Sequence, residues 1–90
     1  MEQQEFLLLL KDRGFPDPVL VKYPANGSLD QHSHPFEALG LVIDGAMTFI
    51  IDGIQTEYRV GDVFHLAHKQ QHAERYGPYG VKYLAGRKRP

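Results

Sequence analysis

Several features are scarce or missing in this 90-residue sequence. There is no cysteine, which excludes disulfides, thiolate metal ligands and a cysteine nucleophile and fits the cytoplasmic location that we expect. The chain lacks the positively charged start of a secretory signal. Its longest conspicuous apolar run, Phe6 to Leu10, is far shorter than the ~20 residues of a membrane span. The formal net charge of -1 shows no excess of either sign, so neither nucleic acid nor a membrane is an expected partner.

The composition describes one small globular domain. The chain is 42% hydrophobic and 23% charged, which is typical of a folded protein rather than a disordered one. This length corresponds to a single domain, which we expect to span residues 1–90. A core of this size is modest, so a bound metal ion or a second subunit would add stability.

The first part of the chain is predicted to form one helix. Residues 2–13 contain no β-branched residue and no proline, and Gly14 follows them where a left-handed cap is favoured. Pro16 and Pro18 forbid continuation, so residues 1–18 are expected to be a helix and a linker. The apolar run is wider than one helical stripe. We therefore expect the helix to cover a face or an end of a sheet, or to lie at a subunit boundary.

From Val19 onward the pattern indicates strands. Asp44-Gly45 and Asp52-Gly53 each predict a two-residue hairpin turn, so residues 38–43, 46–51 and 54–60 should form an antiparallel meander. Further strands are expected at residues 19–23, 63–66, 72–76 and 81–85, with a turn at residues 77–80. About seven short strands are typical of an all-β sandwich or barrel, here residues 19–86, followed by a basic tail at residues 87–90.

Two histidines separated by one residue stand between the first strand and the meander. In extended chain, residues two apart project from the same face about 6 to 7 Å apart, so His32 and His34 can bind one ion. Pro35 favours this extended conformation because it pushes His34 away from the helical region. Imidazole is a preferred metal ligand, and the pair is therefore a candidate metal site.

Glycines and histidines form two clusters, one on each side of the meander. The first contains Gly27, His32, His34, Glu37 and Gly45, and the second contains Gly61, His65, His68 and His72. This arrangement resembles the cupin family. Its first motif has a glycine, a His-x-His pair, a glutamate and a glycine at the next turn, and its second has a glycine, a proline-glycine turn, a histidine and an asparagine.

The resemblance covers residues 27–76 and implies a jelly-roll β-barrel with a short N-terminal helix. It further implies that His32, His34 and His72 converge on a divalent metal, which could be iron, nickel, zinc, manganese or copper. We expect His65 on a sheet face and His68 in a loop rather than among the ligands; the alternative is that one of them reaches the site as a proton carrier. The second motif departs from the family where the expected proline, glycine and asparagine are Ala67, Lys69 and Tyr76.

The carboxylate of the site is open between two candidates. In the family the glutamate falls four or five residues after the second histidine, whereas Glu37 falls three after His34. By alternation Glu37 points away from the histidine face, unless a bulge at residues 35–36 resets the register. Glu37 nevertheless remains a candidate ligand because of its place in the motif.

The alternation of side chains between the two faces of a strand points to Glu74 as the second candidate. His72, Glu74 and Tyr76 share one face of their predicted strand, so all three point inward if His72 does. Glu74 would then be a fourth ligand, an acceptor that orients an imidazole, or a proton-transfer group, with Tyr76 beside it as a second catalytic candidate. The alternative is that Glu74 pairs with Arg75 or Lys82 at the rim of the barrel.

The predicted strand at residues 38–43 bears on both ligand and partner. On the histidine face it carries small side chains that would leave a cavity for a small ligand: Ala38, Gly40 and Val42. The alternative is that core side chains fill the space, and the candidates are Met47, Phe49, Phe64 and Tyr83.

The opposite face of the same predicted strand is apolar too, with Leu39, Leu41 and Ile43. It predicts a homodimer, unless the N-terminal helix covers it.

Three classes of function remain open. The first is a metal-dependent enzyme acting on a small polar molecule, because three histidines resemble the sites of cupin oxygenases and related isomerases or lyases. The second is a non-catalytic module that binds or senses a metal or a small ligand. The third is a structural barrel whose histidines are vestigial.

Overall fold

The computed structural model describes residues 1–90 and contains one helix and six strands. The elements are α1 (Gln3–Asp12), β1 (Val19–Tyr23), β2 (Ser28–His32), β3 (Glu37–Ile51), β4 (Ile54–Arg59), β5 (Val63–Leu66) and β6 (His72–Lys88). All strand pairs are antiparallel. The mostly-β fold with a short N-terminal helix is confirmed and is consistent with a jelly-roll sandwich. No helix in the structure is long and apolar enough to cross a membrane.

The two longest strands, β3 and β6, organise the sheet. The strand order is β1-β6-β3-β4, with β2 paired to β6 and β5 paired to β3. β3 and β6 pair from Glu37 opposite Lys88 to Ile50 opposite Ala73, with two shifts of register. Every other strand therefore pairs with one of these two: β1 and β2 with β6, and β4 and β5 with β3.

Two of the predicted turns are wrong, because the chain bends there and does not reverse. Asp44-Gly45 lies within β3, and residues 77–80 lie within β6. The register between the two strands shifts on either side of Gly45, as at a β-bulge. Gly45 and Gly80 have positive φ angles of 72° and 74°, and a Cβ on Gly45 would collide with the carbonyl oxygen of Gly80. These glycines permit the two bent strands to approach closely while they remain paired, and the four predicted strands are therefore two.

The Asp52-Gly53 turn does form the predicted hairpin. Both residues have positive φ angles, 51° and 78°, as a type I′ turn requires, and Ile51 pairs with Ile54 across it. The predicted bounds of β1 and β5, residues 19–23 and 63–66, also match the structure.

Helix α1 covers the outer face of β3. Phe6 and Leu10 are buried against Leu39 and Leu41, and they form a core separate from the one inside the sandwich. The inner core consists of Ala38, Val42, Met47, Phe49, Phe64, Leu66, Tyr76, Val81, Tyr83 and Ala85. The apolar residues on the outer side of β3 are thus covered within one chain, and they give no separate support for a dimer.

Strand β6 continues further than the sequence predicts. Arg87 and Lys88, assigned above to a basic tail, pair with Ala38 and Glu37 at the start of β3. β3 begins at Glu37 and offers backbone partners there, so the last strand extends by these residues. This extension brings Arg87 beside the candidate site.

Candidate metal centre

Four side chains converge inside the sandwich. One ligand atom from each of His32, His34, His72 and Glu74 lies within 4.8 Å of the other three. His32 ends β2 and pairs directly with His72, which begins β6. His34 follows in the segment between β2 and β3, and Glu74 lies two residues after His72 on the same strand face. The structure therefore brings together the three predicted histidines and one of the two candidate carboxylates.

Backbone carbonyl groups orient two of the imidazole rings. The Nδ1–H of His32 donates to the carbonyl oxygen of Asp30 at 2.6 Å, within the stretch where the pairing of β2 with β6 is irregular. The Nδ1–H of His72 donates to the carbonyl oxygen of Gln70 at 3.0 Å. A carbonyl oxygen can only accept, so each ring carries a proton on Nδ1 and, when neutral, has a free lone pair on Nε2. This arrangement is usual for histidines that bind a metal through Nε2.

The free nitrogen atoms face a carboxylate oxygen. Oε2 of Glu74 lies 3.1 Å from Nε2 of His72 and 3.2 Å from Nε2 of His32. The lone pair of each nitrogen and the anionic oxygen of Glu74 repel each other unless a proton or a cation lies between them. A proton on His72 would satisfy the first contact, but Nε2 of His32 is buried without an aligned hydrogen bond. A divalent metal ion bound by three imidazoles and a carboxylate would satisfy all these atoms, so the residues fit such an ion.

Opposing effects set the charges of Glu74 and His72. Burial, the largest influence on Glu74, favours the neutral acid, but hydrogen bonds from His72 and Tyr76 outweigh it and lower the pKa of Glu74. Burial is also the largest influence on His72 and favours the neutral ring. Its hydrogen bonds to Glu74 and to the carbonyl of Gln70 nevertheless raise the pKa of His72. Without a metal, these two residues therefore favour a charged pair.

His34 has the opposite tendency. Burial, followed by the charges that His32 and His72 can carry, lowers the pKa of His34. Its ring consequently remains neutral to lower pH, and a neutral imidazole is the form that binds metal.

Tyr76 supports the carboxylate from the other side. Its hydroxyl group donates to Oε1 of Glu74 at 3.1 Å, and its ring stacks on that of Tyr23 with centroids 4.4 Å apart. Burial raises the pKa of Tyr76, so the hydroxyl keeps its proton and remains a donor. The side chains of His72, Glu74 and Tyr76 are 1%, 4% and 6% exposed, as their predicted common inward face requires.

Glu37 lies outside this group. Its Oε2 atom is 2.7 Å from Nε2 of His65, and both side chains are substantially exposed. Ala38, the next residue along β3, is buried, so alternation turns Glu37 away from the inner face. His68 is exposed in the loop after β5.

The alternative partners named for Glu74 are engaged elsewhere. Lys82 lies 3.7 Å from the carboxylate of Asp44, and Arg75 donates to the side chain of Gln55. Glu74 is therefore not a rim residue paired with either cation.

Aromatic side chains occupy most of the space beside the histidines. A Cβ on Gly40 would collide with the ring of Phe64, which packs edge-on against Phe49 and Tyr83 at centroid distances of 5.0 and 5.1 Å. A cavity of about 40 Å³ remains beside His34. The small residues of β3 thus accommodate core side chains more than they create an open chamber.

The sequence did not indicate two residues that line this cavity. Phe36 and Arg87 both contribute to its wall. The alternation of Tyr83, Ala85 and Arg87 along β6 is the signal that could have placed Arg87 on the inner face. It was masked by the basic composition of the last residues, which is typical of a solvated terminus.

Comparison with known proteins identifies the family. The Cupin domain profile matches residues 19–76, which is more than half of the chain. The protein belongs to the cupin family. Among curated proteins no match is found.

Solved structures share the fold at low sequence identity. KdgF from Halomonas sp. is 24% identical with a TM-score of 0.67, over 83% of this chain and 72% of that one. The DMSP lyase DddQ from Ruegeria pomeroyi is 23% identical with a TM-score of 0.69, over 77% of this chain and 36% of that one. An oxalate decarboxylase of Bacillus subtilis with Mn(II) centres is 17% identical with a TM-score of 0.70, over 80% of this chain and 20% of that one. The likeness shows a common fold, and this chain spans only a minor part of the last two proteins.

Proposed function

We propose that this protein is a metal-dependent cupin enzyme acting on a small polar molecule, with His32, His34, His72 and Glu74 as ligands of a divalent ion. Nε2 of His32 carries the proposal, because it is buried, makes no aligned hydrogen bond and lies close to the ligand atoms of the other three residues. A buried polar atom without a partner costs about 1–3 kcal/mol. A bound cation would remove that cost.

The ligand charges favour substrates that carry anionic or chelating oxygen atoms. Three neutral imidazoles and one carboxylate neutralise only one of the two charges of a divalent ion, so the centre remains positive. When bound, such an ion supplies Lewis-acid chemistry or, if it is redox-active, oxygenase chemistry. The reactions open to such a centre include dioxygenase-, isomerase- and lyase-like ones. Tyr76 holds Glu74 in place through its hydroxyl proton, and Glu37 is not required.

The structural relatives support an enzyme. Two of them are a lyase and a decarboxylase by name, and the decarboxylase contains Mn(II). Both are much longer than this chain, so neither their substrates nor their reactions are carried over to it.

One observation favours a second candidate, a non-catalytic module that binds a metal or a very small ligand. The cavity beside His34 measures only about 40 Å³, which restricts what can reach the centre. A sensor or storage protein needs no larger space.

Metal analysis of the purified protein tests the centre. We expect about one divalent ion per wild-type chain and little in folded His32→Ala and His34→Ala variants, because each loses a ligand. Full metal content in folded His34→Ala would contradict the proposal.

Activity assays then separate the two candidates. Oxygen consumption by the iron-loaded protein is measured with thiols, diketones and phenols, and turnover of any of them supports the enzyme. Thermal stabilisation by metal without turnover favours the binding module.

We also propose a homodimer. Strand β1 lies at an edge of the sheet and exposes the apolar side chain of Leu20, which provides a surface for a second copy. Light scattering at two concentrations should show the dimer, and a monomer at the higher concentration would contradict it.

A further inference from the structure

Arg87 stands at the mouth of the cavity that leads to the candidate metal centre. It follows Tyr83 and Ala85 on the inward face of β6 and pairs with Ala38 across the sheet. The cavity is lined by His34 and the buried Glu74 and by the exposed Arg87. Arg87 is the one exposed residue of this lining, so its guanidinium group is available to a ligand that enters the cavity from solvent.

The guanidinium group has no carboxylate partner. The ion pairs in the structure use other cations, and Arg87 packs over the ring of Phe36, with Cζ 5.4 Å from the ring centroid. The same ring stacks against His34 at 5.0 Å and 15°. Phe36 thus contacts both Arg87 and His34, and all three side chains line the cavity. An arginine held over an aromatic ring presents a planar set of donors that suits a two-oxygen anion.

The charges lining the cavity leave Arg87 as the available cation. Glu74 supplies the one carboxylate of the lining, and it is already engaged by His72 and Tyr76. No negative group of the wall faces Arg87 without a partner. An incoming anion would consequently meet attraction at the mouth.

The remaining lining selects against a bare inorganic anion. Most of the wall is apolar, with Phe36, Phe49, Phe64 and Leu66 among its residues. Apolar walls strip the hydration of a multiply charged ion without replacing it, whereas they favour a hydrocarbon body. A volume of about 40 Å³ admits a few water-sized groups only, so that body must be short.

We propose that the cavity binds a small carboxylate whose anionic group is held by Arg87 and whose body points toward His34. The inference rests on the proposed function in one respect, since it places this ligand beside the metal centre as its substrate or effector. The contact with Arg87 itself does not depend on a metal.

The test compares propionate with propionamide, its neutral analogue of similar size. Nuclear magnetic resonance titration of the zinc-loaded protein, which detects weak binding, gives the two affinities. We expect the wild type to bind propionate with saturable shifts and to bind propionamide far more weakly. Arg87→Gln should weaken propionate binding ~10-fold or more, because a charge-assisted hydrogen bond is lost.

Arg89→Gln provides the matched control. Arg89 also lies over the Phe36 ring, with Cζ at 5.8 Å from its centroid, but it does not line the cavity. Its substitution removes the same charge from the same strand end and should leave propionate binding unchanged. Equal affinity of the two variants, no saturable shifts in the wild type, or equal binding of the amide would overturn the inference.

Zinc content separates this inference from the proposed function. Arg87 is not among the candidate metal ligands, so Arg87→Gln should retain full zinc. Loss of zinc from that variant would mean that Arg87 supports the metal centre, and it would overturn the proposed role of Arg87 in carboxylate binding. If the wild type itself binds no zinc, the proposed function fails. The propionate titrations of the metal-free variants then still decide whether Arg87 holds a carboxylate.

Discussion

Replacing Glu74 by glutamine offers the sharpest test of the metal centre. The substitution keeps the size and shape of a buried side chain and removes its negative charge. In the wild type, Oε2 lies 3.1 Å from Nε2 of His72 and 3.2 Å from Nε2 of His32, so any ion shared by the histidines contacts this carboxylate. Glu74→Gln should therefore weaken metal binding.

The expected loss of metal affinity has two sources, one in the metal-bound form of the protein and one in the metal-free form. Loss of a group outside the ligand set typically costs 10- to 100-fold in metal affinity, so loss of Glu74 as a ligand should cost about 100-fold or more. The new amide N–H can donate to the lone pairs of His32 and His72 and stabilise the metal-free form. That effect weakens metal binding further while keeping the variant folded.

Competition for zinc against a chromophoric chelator measures both affinities at one pH. Glu37→Gln is the matched control, because Glu37 is the glutamate of the first motif but contacts His65 at 2.7 Å. We expect its zinc affinity to equal that of the wild type. A loss of affinity in Glu37→Gln together with full affinity in Glu74→Gln would refute the assignment of the carboxylate.

Three further predictions concern pH and packing. Zinc affinity should fall as the pH drops from about 8 to about 6, because His72, with its pKa raised above 6.5, must lose a proton to bind the ion; constant affinity over this range would contradict its role. Gly40→Ala should destabilise the fold by about 1–3 kcal/mol in urea unfolding, since the added methyl group collides with Phe64. Phe6→Ala should cost about 3–5 kcal/mol because the ring is fully buried, whereas Leu8→Ala, at a position 68% exposed, should cost less than about 0.5 kcal/mol. Equal melting temperatures of these last two variants would show that α1 does not cover the sheet.

Local patterns were sufficient where the structure depends on local conformation. The helix, β1, β5 and the Asp52-Gly53 hairpin were predicted because proline, glycine and strand propensity act over a few residues. Asp44-Gly45 shows the limit. A hairpin and a bulge can both use a residue of positive φ, and only the close pairing of β3 with β6 beside Gly80 makes this one a bend.

The same distinction applies to the candidate centre. Alternation by itself determined that His72, Glu74 and Tyr76 share one face and that Glu37 lies on the other face of its strand. Pairing of β2 with β6 set His32 opposite His72, because strands far apart in the chain find their register through the whole sheet.

The tertiary structure alone decided the extent and surroundings of the site. Pairing of the last residues of β6 with the start of β3 moved Arg87 from an expected tail to the mouth of the cavity. Packing of Phe64 against Gly40 reduced the predicted chamber to a narrow space. Both outcomes depend on contacts between distant strands, which no local pattern encodes, whereas the three histidines of the candidate centre and the two alternative carboxylates were already evident in the sequence.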